Sequence, residues 1–392
     1  MDKYSKWRDA DTGINPFLPT KGRRTESTQW SEALAHVKNL LGPLAAIAKL
    51  AVLALIALLA FLLVHILGAV LTPLPLLRRE WDKVVAFLCG RLALFLLGFY
   101  SITVEEVLPH KSKLSLREKN SIKKTTLRSM EPGDIIIANH SSYIDILYLA
   151  TMYAPTFTQI SPDANTLRAI PLHEALLATG AYPILNHPAA NLTLATLVAR
   201  ARADPRTYGP IVVFPEATTT NGRALLRACD VWEGLKEQDA PRLHLVGLRY
   251  PCEEFSPAYV VGGKLSHLIG LASQFVNRLV VRVAFHHDAH FEGVVGWRHE
   301  AVGVGKNVGF HQRSSKSPSG TPVKKSVGGS TPVKRALGKM EEASEEIDVD
   351  RGSVTLHTAV EDMLVEVSKL KLTRLTVKDK ASFFDFWINM KK

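Results

Sequence analysis

The sequence predicts an α/β domain with a mostly parallel sheet covered by helices, preceded by an N-terminal membrane-embedded helical hairpin. Two observations support this fold class. Between residues 133 and about 300, short β-branched and apolar runs alternate with helix-like runs, which is typical of parallel strands joined by helical crossovers. Upstream, residues 50–77 form 28 consecutive positions without a charged side chain. A core helix rarely stays apolar on all sides for that length, so we expect this segment to lie in a membrane.

Length, charge and cysteine content narrow the class of protein. The 392 residues are enough for one large or two ordinary domains. A formal net charge of +11 favours a negatively charged partner, either nucleic acid, anionic lipid or a phosphorylated substrate, and the apolar segment argues against nucleic acid. Cys89, Cys229 and Cys252 match no disulfide or metal-ligand spacing, which indicates reduced thiols facing the cytosol.

The N-terminal hundred residues divide into an arm and a membrane segment. Residues 1–42 are polar and are interpreted as a mobile cytosolic arm. Residues 43–100 form the membrane segment, whose first helix ends near Pro73 and is roughly 35 Å long, enough to cross a hydrocarbon core of about 30 Å. The second apolar run, residues 84–100, is short and contains Arg91. A hairpin inserted from the cytosolic side, with Arg91 near the headgroups, reconciles these features, and two full spans are the alternative.

The α/β domain is assigned to residues 101–304 and 351–392, interrupted by a disordered insertion. Residues 305–350 are rich in Ser, Gly, Pro and Lys, which predicts disorder, and Ser317, Thr321 and Thr331 precede prolines there and are candidate phosphorylation sites. The C-terminal pattern over 356–387 predicts helices packed onto the domain, with an aromatic tail touching the membrane as the alternative. Predicted strands are 135–138, 157–160, 210–214, 243–250 and 279–287, and predicted helices are 142–152, 173–179, 189–203 and 264–278.

The first candidate site follows the predicted strand 135–138. His140 comes at the strand-to-helix turn, Ser141 and Ser142 are suitable N-cap residues, and Asp145 lies about one turn into the helix. An imidazole at this place is suited to act as a general base, with the carboxylate holding its tautomer. The alternative is a capped helix start in which His140 and Asp145 satisfy only backbone groups.

The second candidate site, residues 213–223, follows the predicted strand 210–214. Polar side chains at the carboxyl end of a strand lie where ligands bind in open α/β sheets. Glu216 is suited to orient a substrate hydroxyl, while Thr218 and Arg223 are suited to bind phosphate oxygens. A turn-and-cap role is the alternative.

Together these stretches resemble the glycerolipid acyltransferase superfamily. Asn139, His140 and Asp145 match its Asn-His-x4-Asp motif, and Phe214, Pro215, Glu216 and Thr218 match its Phe-Pro-Glu-Gly-Thr motif about 75 residues later. The chain departs from the family at Ala217, where glycine is usual, and at Thr219, where arginine often follows. A second family motif with basic residues falls near 168–187 and lacks its final arginine, a fourth aligns with 245–251, and residues 375–387 are similar to the end of fungal members.

The resemblance implies transfer of a fatty acyl group from acyl-CoA, as co-substrate, to a lysoglycerophospholipid hydroxyl at a membrane. His140 and Asp145 would be catalytic, backbone N–H groups at the helix start would stabilise the oxyanion, and neither a metal nor a resident cofactor is implied. Partners are acyl-CoA, the lysolipid and membrane lipid, and the implied location is the endoplasmic reticulum membrane or the lipid droplet, with the catalytic domain facing the cytosol. The residues implied to bind acceptor or donor are Asn139, Ser141, Phe214, Pro215, Glu216, Thr218 and Arg223.

The acceptor and the degree of activity stay open. Lysophosphatidate ranks first, but the missing arginines weaken a phosphomonoester site unless Arg223, Arg249 or His187 replaces them, so lysophospholipids with a headgroup are the alternative. The eroded motifs also suit a weakly active lipid-binding or lipid-droplet organising protein. A serine hydrolase is disfavoured because no Gly-x-Ser-x-Gly elbow occurs, and alternating strand faces would separate the histidines of 286–290 as metal ligands.

Overall fold

The computed structural model describes residues 3–20, 29–107, 130–235, 241–252, 255–285 and 355–390. The predicted insertion 305–350, its three candidate phosphorylation sites and the histidines of 286–290 lie outside the described residues.

Within the described residues, the core of the fold is a seven-stranded sheet. Its strands are β1 (Ile102–Glu106), β2 (Ile135–Ala138), β3 (Thr156–Ser161), β4 (Thr166–Ile170), β5 (Ile211–Val213), β7 (Leu243–Arg249) and β8 (Leu279–Ala284), while β6 (Ala224–Leu225) and β9 (Lys371–Leu372) pair separately. The order in the sheet is β1-β8-β7-β2-β5-β3-β4. Of the six pairings in this described sheet, four are parallel, and β3–β4 and β7–β8 are antiparallel, so the predicted mostly parallel sheet is confirmed. The central strands are buried on both faces, which explains their continuous apolar sequence.

Helices cover both faces of the sheet. The helices are α1 (Gln29–Leu62), α2 (Pro75–Leu96), α3 (Tyr143–Tyr153), α4 (Leu172–Ala178), α5 (Leu194–Ala203), α6 (Lys264–Ala272), α7 (Leu356–Ser368) and α8 (Val377–Asn389). Alternate residues of β2 point to opposite cores. Ile136 and Ala138 pack with α2, α3 and part of α1, whereas Ile135 and Ile137 pack with α5 and α7.

The predicted membrane segment consists of α1 and α2. α1 continues through a π-helical turn (Leu63–Leu67) to Val70, and within the described residues Leu40–Val70 is the single helical stretch long and apolar enough to cross a membrane. Beyond the turn, α2 folds back, and the Trp81 indole N–H donates to the Leu63 carbonyl at 3.1 Å. Arg79 donates to the carbonyl of Tyr208 in the α/β domain. The first turns of α2 therefore contact the domain.

Residues 3–20 are not the mobile arm that their polar composition predicts. Trp7 and Phe17 are buried against Phe383 of α8, with ring centroids 5.4 and 5.6 Å away. Asp9 accepts hydrogen bonds from the backbone of Thr12 and of Arg374. Trp7 and Phe17, ten residues apart, anchor an otherwise polar segment. Because two isolated apolar residues form no periodic pattern, the sequence did not predict this packing.

Gly247 of β7 packs directly against the backbone at the end of α7. A Cβ built at this position would lie 2.7 Å from the Cα of Ser368, and backbone atoms cannot move aside as the end of a side chain can. We expect Gly247→Ala to destabilise the protein by about 2–3 kcal/mol and to lower Tm in detergent by about 5 °C or more. Gly68→Ala is the control, since the nearest atom to its added Cβ is 3.8 Å away. Equal melting temperatures for both variants would contradict this packing.

Candidate active site

His140 and Asp145 form a buried hydrogen-bonded pair where β2 gives way to α3. Ser142 is the N-cap of α3 and Asp145 closes its capping box. The Oδ2 atom of Asp145 accepts from the backbone N–H groups of Ser141 and Ser142, both at 2.7 Å, and lies 3.2 Å from His140 Nδ1. The structure therefore brings the predicted pair together. Backbone N–H groups at the helix start were expected to act as oxyanion donors, and the structure shows that those of Ser141 and Ser142 already donate to Asp145.

Residues at the end of β7 and directly after it support this pair. The Tyr250 hydroxyl donates to Asp145 Oδ1 at 2.5 Å, and burial together with the charge of Asp145 raises the pKa of Tyr250, which keeps it a donor. The Asn139 side chain accepts from the Leu248 N–H at 2.7 Å and donates to the Leu248 carbonyl at 3.0 Å. Asn139 therefore fixes the end of β2 to β7, and Tyr250 is a partner of Asp145 that the sequence did not reveal.

Glu216 is buried beside His140, and within the described part of the chain its side chain bonds only to backbone groups. Its Oε1 accepts from the His140 N–H at 3.2 Å and its Oε2 from the Leu226 N–H at 3.0 Å. Burial raises the pKa of Glu216 to about 8, against the lowering effect of those two bonds and of the Lys380 charge. Glu216 does not line the cavity beside His140, so its geometry is that of an anchor for the His140 backbone.

Lys380 of α8 is a buried residue of this site that sequence reasoning missed. Its Nζ donates to the carbonyls of Thr219 at 3.0 Å and Val260 at 3.2 Å. Burial lowers the pKa of Lys380 well below its usual value, and the nearby Glu216 carboxylate offsets only part of this effect. A signal existed, since Lys380 falls on the buried face of α8 between Val377 and Ala381. A lysine on that face needs polar partners inside the protein.

A cavity of about 290 Å³ opens beside the His140 ring. The ring stacks on Phe214 with centroids 4.3 Å apart, and its Nε2 lies 3.4 Å from the Thr179 hydroxyl. Most of the wall is apolar, and the polar lining includes Arg168, which donates to Gln159 and Glu174. We refer to it as the His140 cavity; its lining also includes Ile146, Phe157, Ile170, Leu177, Tyr182, Ile184, His187, Ala217, Thr218 and Thr219.

The departure from the family pattern at Ala217 has a local cost. Its φ is +52°, in the left-handed region that glycine adopts freely and that costs an L-residue roughly 1 kcal/mol. The Ala217 N–H still donates to the Phe214 carbonyl at 2.9 Å, so the turn is retained. The substitution therefore preserves the shape of the motif at a small expense in stability.

Most of the predicted site residues converge, and Arg223 does not. Asn139, Ser141 and Glu216 surround His140 in the interior, Phe214 and Thr218 line the cavity, and the Pro215 carbonyl accepts from Cys229. Arg223 and Arg249, two of the suggested replacements for the missing arginines, lie in the wall of a different cavity. His187, the third, lines the His140 cavity.

These features define a class: α/β proteins that hold a His–Asp pair at the carboxyl edge of a mostly parallel sheet, beside an apolar cavity. Comparison with known proteins narrows the class further. The Acyltransferase family model matches residues 115–230. This match and two curated relatives support the glycerolipid acyltransferase superfamily that the sequence motifs resemble.

Individual relatives are distant. A Schizosaccharomyces pombe protein with the provisional name lysophosphatidic acid:oleoyl-CoA acyltransferase is 27% identical over 256 residues, which are 64% of this chain and 75% of the relative. The Arabidopsis thaliana lysophospholipid acyltransferase LPEAT1 is 29% identical over 226 residues, which are 54% of this chain and about half, 55%, of the relative. The crystal structure of the 1-acyl-sn-glycerophosphate acyltransferase PlsC from Thermotoga maritima aligns with a TM-score of 0.33 and 13% identity, over 62% of this chain and 85% of that one.

Proposed function

We propose that the protein transfers a fatty acyl group from acyl-CoA to the free hydroxyl of a lysoglycerophospholipid, with lysophosphatidate as the first-ranked acceptor. The observation that carries this proposal is the His140 ring at the wall of an apolar cavity, with Asp145 buried behind it. An apolar wall suits acyl chains, and the printed names of the fission-yeast and plant relatives support the acceptor class.

The proposed reaction is a direct transfer. With Asp145 accepting the Nδ1–H, His140 Nε2 carries a lone pair and takes the proton of the acceptor hydroxyl. The hydroxyl oxygen forms a bond to the thioester carbonyl carbon, the carbon–sulfur bond breaks, and His140 returns the proton to the leaving thiolate. No covalent enzyme intermediate is needed.

Stabilisation of the oxyanion is assigned to a hydroxyl rather than to the helix amides. Ser141 and Ser142 N–H already donate to Asp145, and the Ile144 N–H donates to Ser142 Oγ. Thr219 lines the His140 cavity, and its buried hydroxyl has no hydrogen-bond partner among the described residues. A buried unpaired hydroxyl is costly, and a developing negative charge in the cavity would satisfy it.

We further propose that α1 and α2 sit as a hairpin in the cytosolic leaflet, on the endoplasmic reticulum or the lipid droplet, with the domain in the cytosol. α1 exposes large apolar side chains, among them Leu55, Leu59 and Phe61. Lys49, within α1, donates to the Gln274 carbonyl, and Arg79, near the start of α2, donates to the Tyr208 carbonyl. These contacts tie both helices to the domain, which favours a hairpin along the surface over two spans. Exposed Leu177 and Tyr182 at the His140 cavity suit lipid entry from the same membrane.

Arg168 is the residue expected to select the acceptor. It is the one arginine in the lining of the His140 cavity, within the described part of the chain. We expect Arg168→Gln to raise KM for lysophosphatidate roughly 10–100-fold, since a charge-assisted phosphate contact contributes about 1.5–3 kcal/mol. The measurement is transfer from labelled oleoyl-CoA, by purified protein in detergent, to lysophosphatidate, lysophosphatidylethanolamine and lysophosphatidylcholine.

The acceptor panel also tests the alternative. Arg168 already donates to Glu174 and Gln159, which partly satisfies its charge and favours acceptors with a headgroup. Higher kcat/KM for a headgroup-bearing lysolipid would remove lysophosphatidate from first rank. Arg206→Gln, at an exposed arginine outside the cavity, is the matched control and should leave every KM unchanged.

A further inference from the structure

A second cavity, here named the basic cavity, is lined by five cationic residues: Arg8, Arg223, Arg249, Lys369 and Lys371. Its volume is about 760 Å³, and its lining residues include no aspartate or glutamate. A concave wall with charge of one sign concentrates the field and attracts counter-ions of the other sign. The basic cavity is thus suited to a ligand with several negative charges.

The wall of the basic cavity is held by specific hydrogen bonds. The Asn221 side-chain amide donates to the carbonyls of Asn15 and Leu18, both at 2.9 Å, and the Asn221 N–H donates to the Pro16 carbonyl at 2.9 Å. The N-terminal segment is thereby fixed against the loop that follows Glu216. The cationic side chains are therefore presented by an ordered surface rather than by a free arm.

Among the residues that the structure describes, four of the five cations have no carboxylate partner. Within the described residues, the side chains of Arg223, Arg249, Lys369 and Lys371 form no ion pair. In the adjoining N-terminal segment, Asp11 is engaged by Arg374 at 2.6 Å. Mutual repulsion among uncompensated cations lowers stability, and a bound polyanion would remove that cost.

The basic cavity and the His140 cavity share one loop as a wall. Thr219 lines the His140 cavity, while residues 221–223 line the basic cavity. Between them, the Thr220 N–H donates to the His140 carbonyl at 3.0 Å. The two cavities therefore lie against neighbouring parts of one loop, and that loop is hydrogen-bonded to the backbone of His140.

The position in the fold favours a soluble ligand over a lipid headgroup. Lys369 and Lys371 directly follow α7, which packs on the Ile135 and Ile137 face of the sheet. The apolar helices α1 and α2 pack on the opposite face. A ligand that enters from the aqueous side reaches the basic cavity without crossing the proposed membrane surface.

We propose that the basic cavity binds the phosphate groups of the acyl donor, namely the diphosphate and the ribose 3′-phosphate of coenzyme A. This inference rests on the proposed use of acyl-CoA. Cationic side chains on several walls match a ligand whose phosphates lie at two places on a nucleotide. The lipid acceptor and the soluble donor then enter from different sides of the sheet, and Arg223 serves the donor rather than the acceptor.

The test compares two double variants of the full chain in detergent. Lys369→Gln/Lys371→Gln removes two charges of the basic cavity, and Arg206→Gln/Lys378→Gln removes two exposed charges elsewhere. We expect the cavity variant to bind CoA at least tenfold more weakly by isothermal titration calorimetry, with a parallel rise in KM for oleoyl-CoA and an unchanged KM for the acceptor. Wild-type protein should bind CoA more tightly than dephospho-CoA. Arg223→Gln, in another wall, should weaken CoA binding in the same direction if the double variant unfolds.

The outcomes separate the site from the reaction. Equal CoA affinities in the cavity and control variants, with wild-type transfer intact, would overturn the site and leave the reaction standing. CoA binding that depends on the basic cavity, without acyl transfer to any lysolipid, would support the site and overturn the reaction. Unchanged CoA affinity with lost binding to vesicles of phosphatidylcholine and phosphatidylserine would assign the cavity to a lipid headgroup and overturn the proposal.

Discussion

Replacing His140 with alanine is expected to lower kcat for acyl transfer by about a thousandfold or more. A positioned general base contributes about 10²–10⁴ in rate, and in this reaction the same imidazole would serve first as base and then as acid. The binding surfaces remain, so KM for acyl-CoA should change little. Turnover of purified protein with labelled oleoyl-CoA and lysophosphatidate is the measurement.

The fold should tolerate this change, which makes the loss of activity interpretable. Without the imidazole, Asp145 still accepts from Ser141 N–H, Ser142 N–H and the Tyr250 hydroxyl, so its carboxylate is not left unpaired. His173→Ala is the matched control, because His173 is an exposed residue of α4 outside the cavity lining. Transfer by His140→Ala within tenfold of wild type would remove His140 from the mechanism and favour a lipid-binding role.

Local signals in the sequence were sufficient for the central fold and for the His140–Asp145 pair. β2 and β5 are continuous apolar runs because both faces are covered, and the capping box that seats Asp145 spans only four residues. The edge strands β1 and β4 were not predicted. Edge strands need little apolar sequence: Val104 in β1 is exposed, and β4 contains the polar residues Thr166 and Arg168.

The rest of the site depends on contacts between distant parts of the chain. Glu216 reaches the backbone of His140 across 76 residues, and Lys380 reaches Thr219 across 161. A motif gives the residue types at such positions but does not state whether a polar side chain faces ligand or protein. For that reason Glu216 was expected to touch the substrate, whereas the structure places both of its oxygens on backbone amides.

Glu216→Ala is expected to lower both stability and activity. Two buried backbone N–H groups, those of His140 and Leu226, would lose their acceptor, and each such loss costs about 1–3 kcal/mol. The total is about 2–6 kcal/mol, and the released His140 backbone should reduce kcat by about tenfold or more in the protein that remains folded. Glu216→Gln keeps one acceptor oxygen, so we expect roughly half the loss of stability. Glu233→Ala, at an exposed carboxylate, is the control for charge removal alone.

The role of Glu216 as a buried, protonated anchor can be tested by the pH dependence of stability, which loss of packing alone would not change. Burial raises the pKa of Glu216 from 4.5 to about 8, so the folded protein holds a proton at this carboxyl that the unfolded chain releases at lower pH. The resulting stabilisation is fully present below about pH 4.5 and is lost progressively as pH rises to about 8. Glu216→Gln cannot titrate, so the stability advantage of wild type over this variant should shrink across that interval, as measured by Tm in a pH series. A difference that stays constant from pH 5 to 8 would show that Glu216 is ionised in the folded state, with its two backbone bonds and Lys380 outweighing the cost of burial.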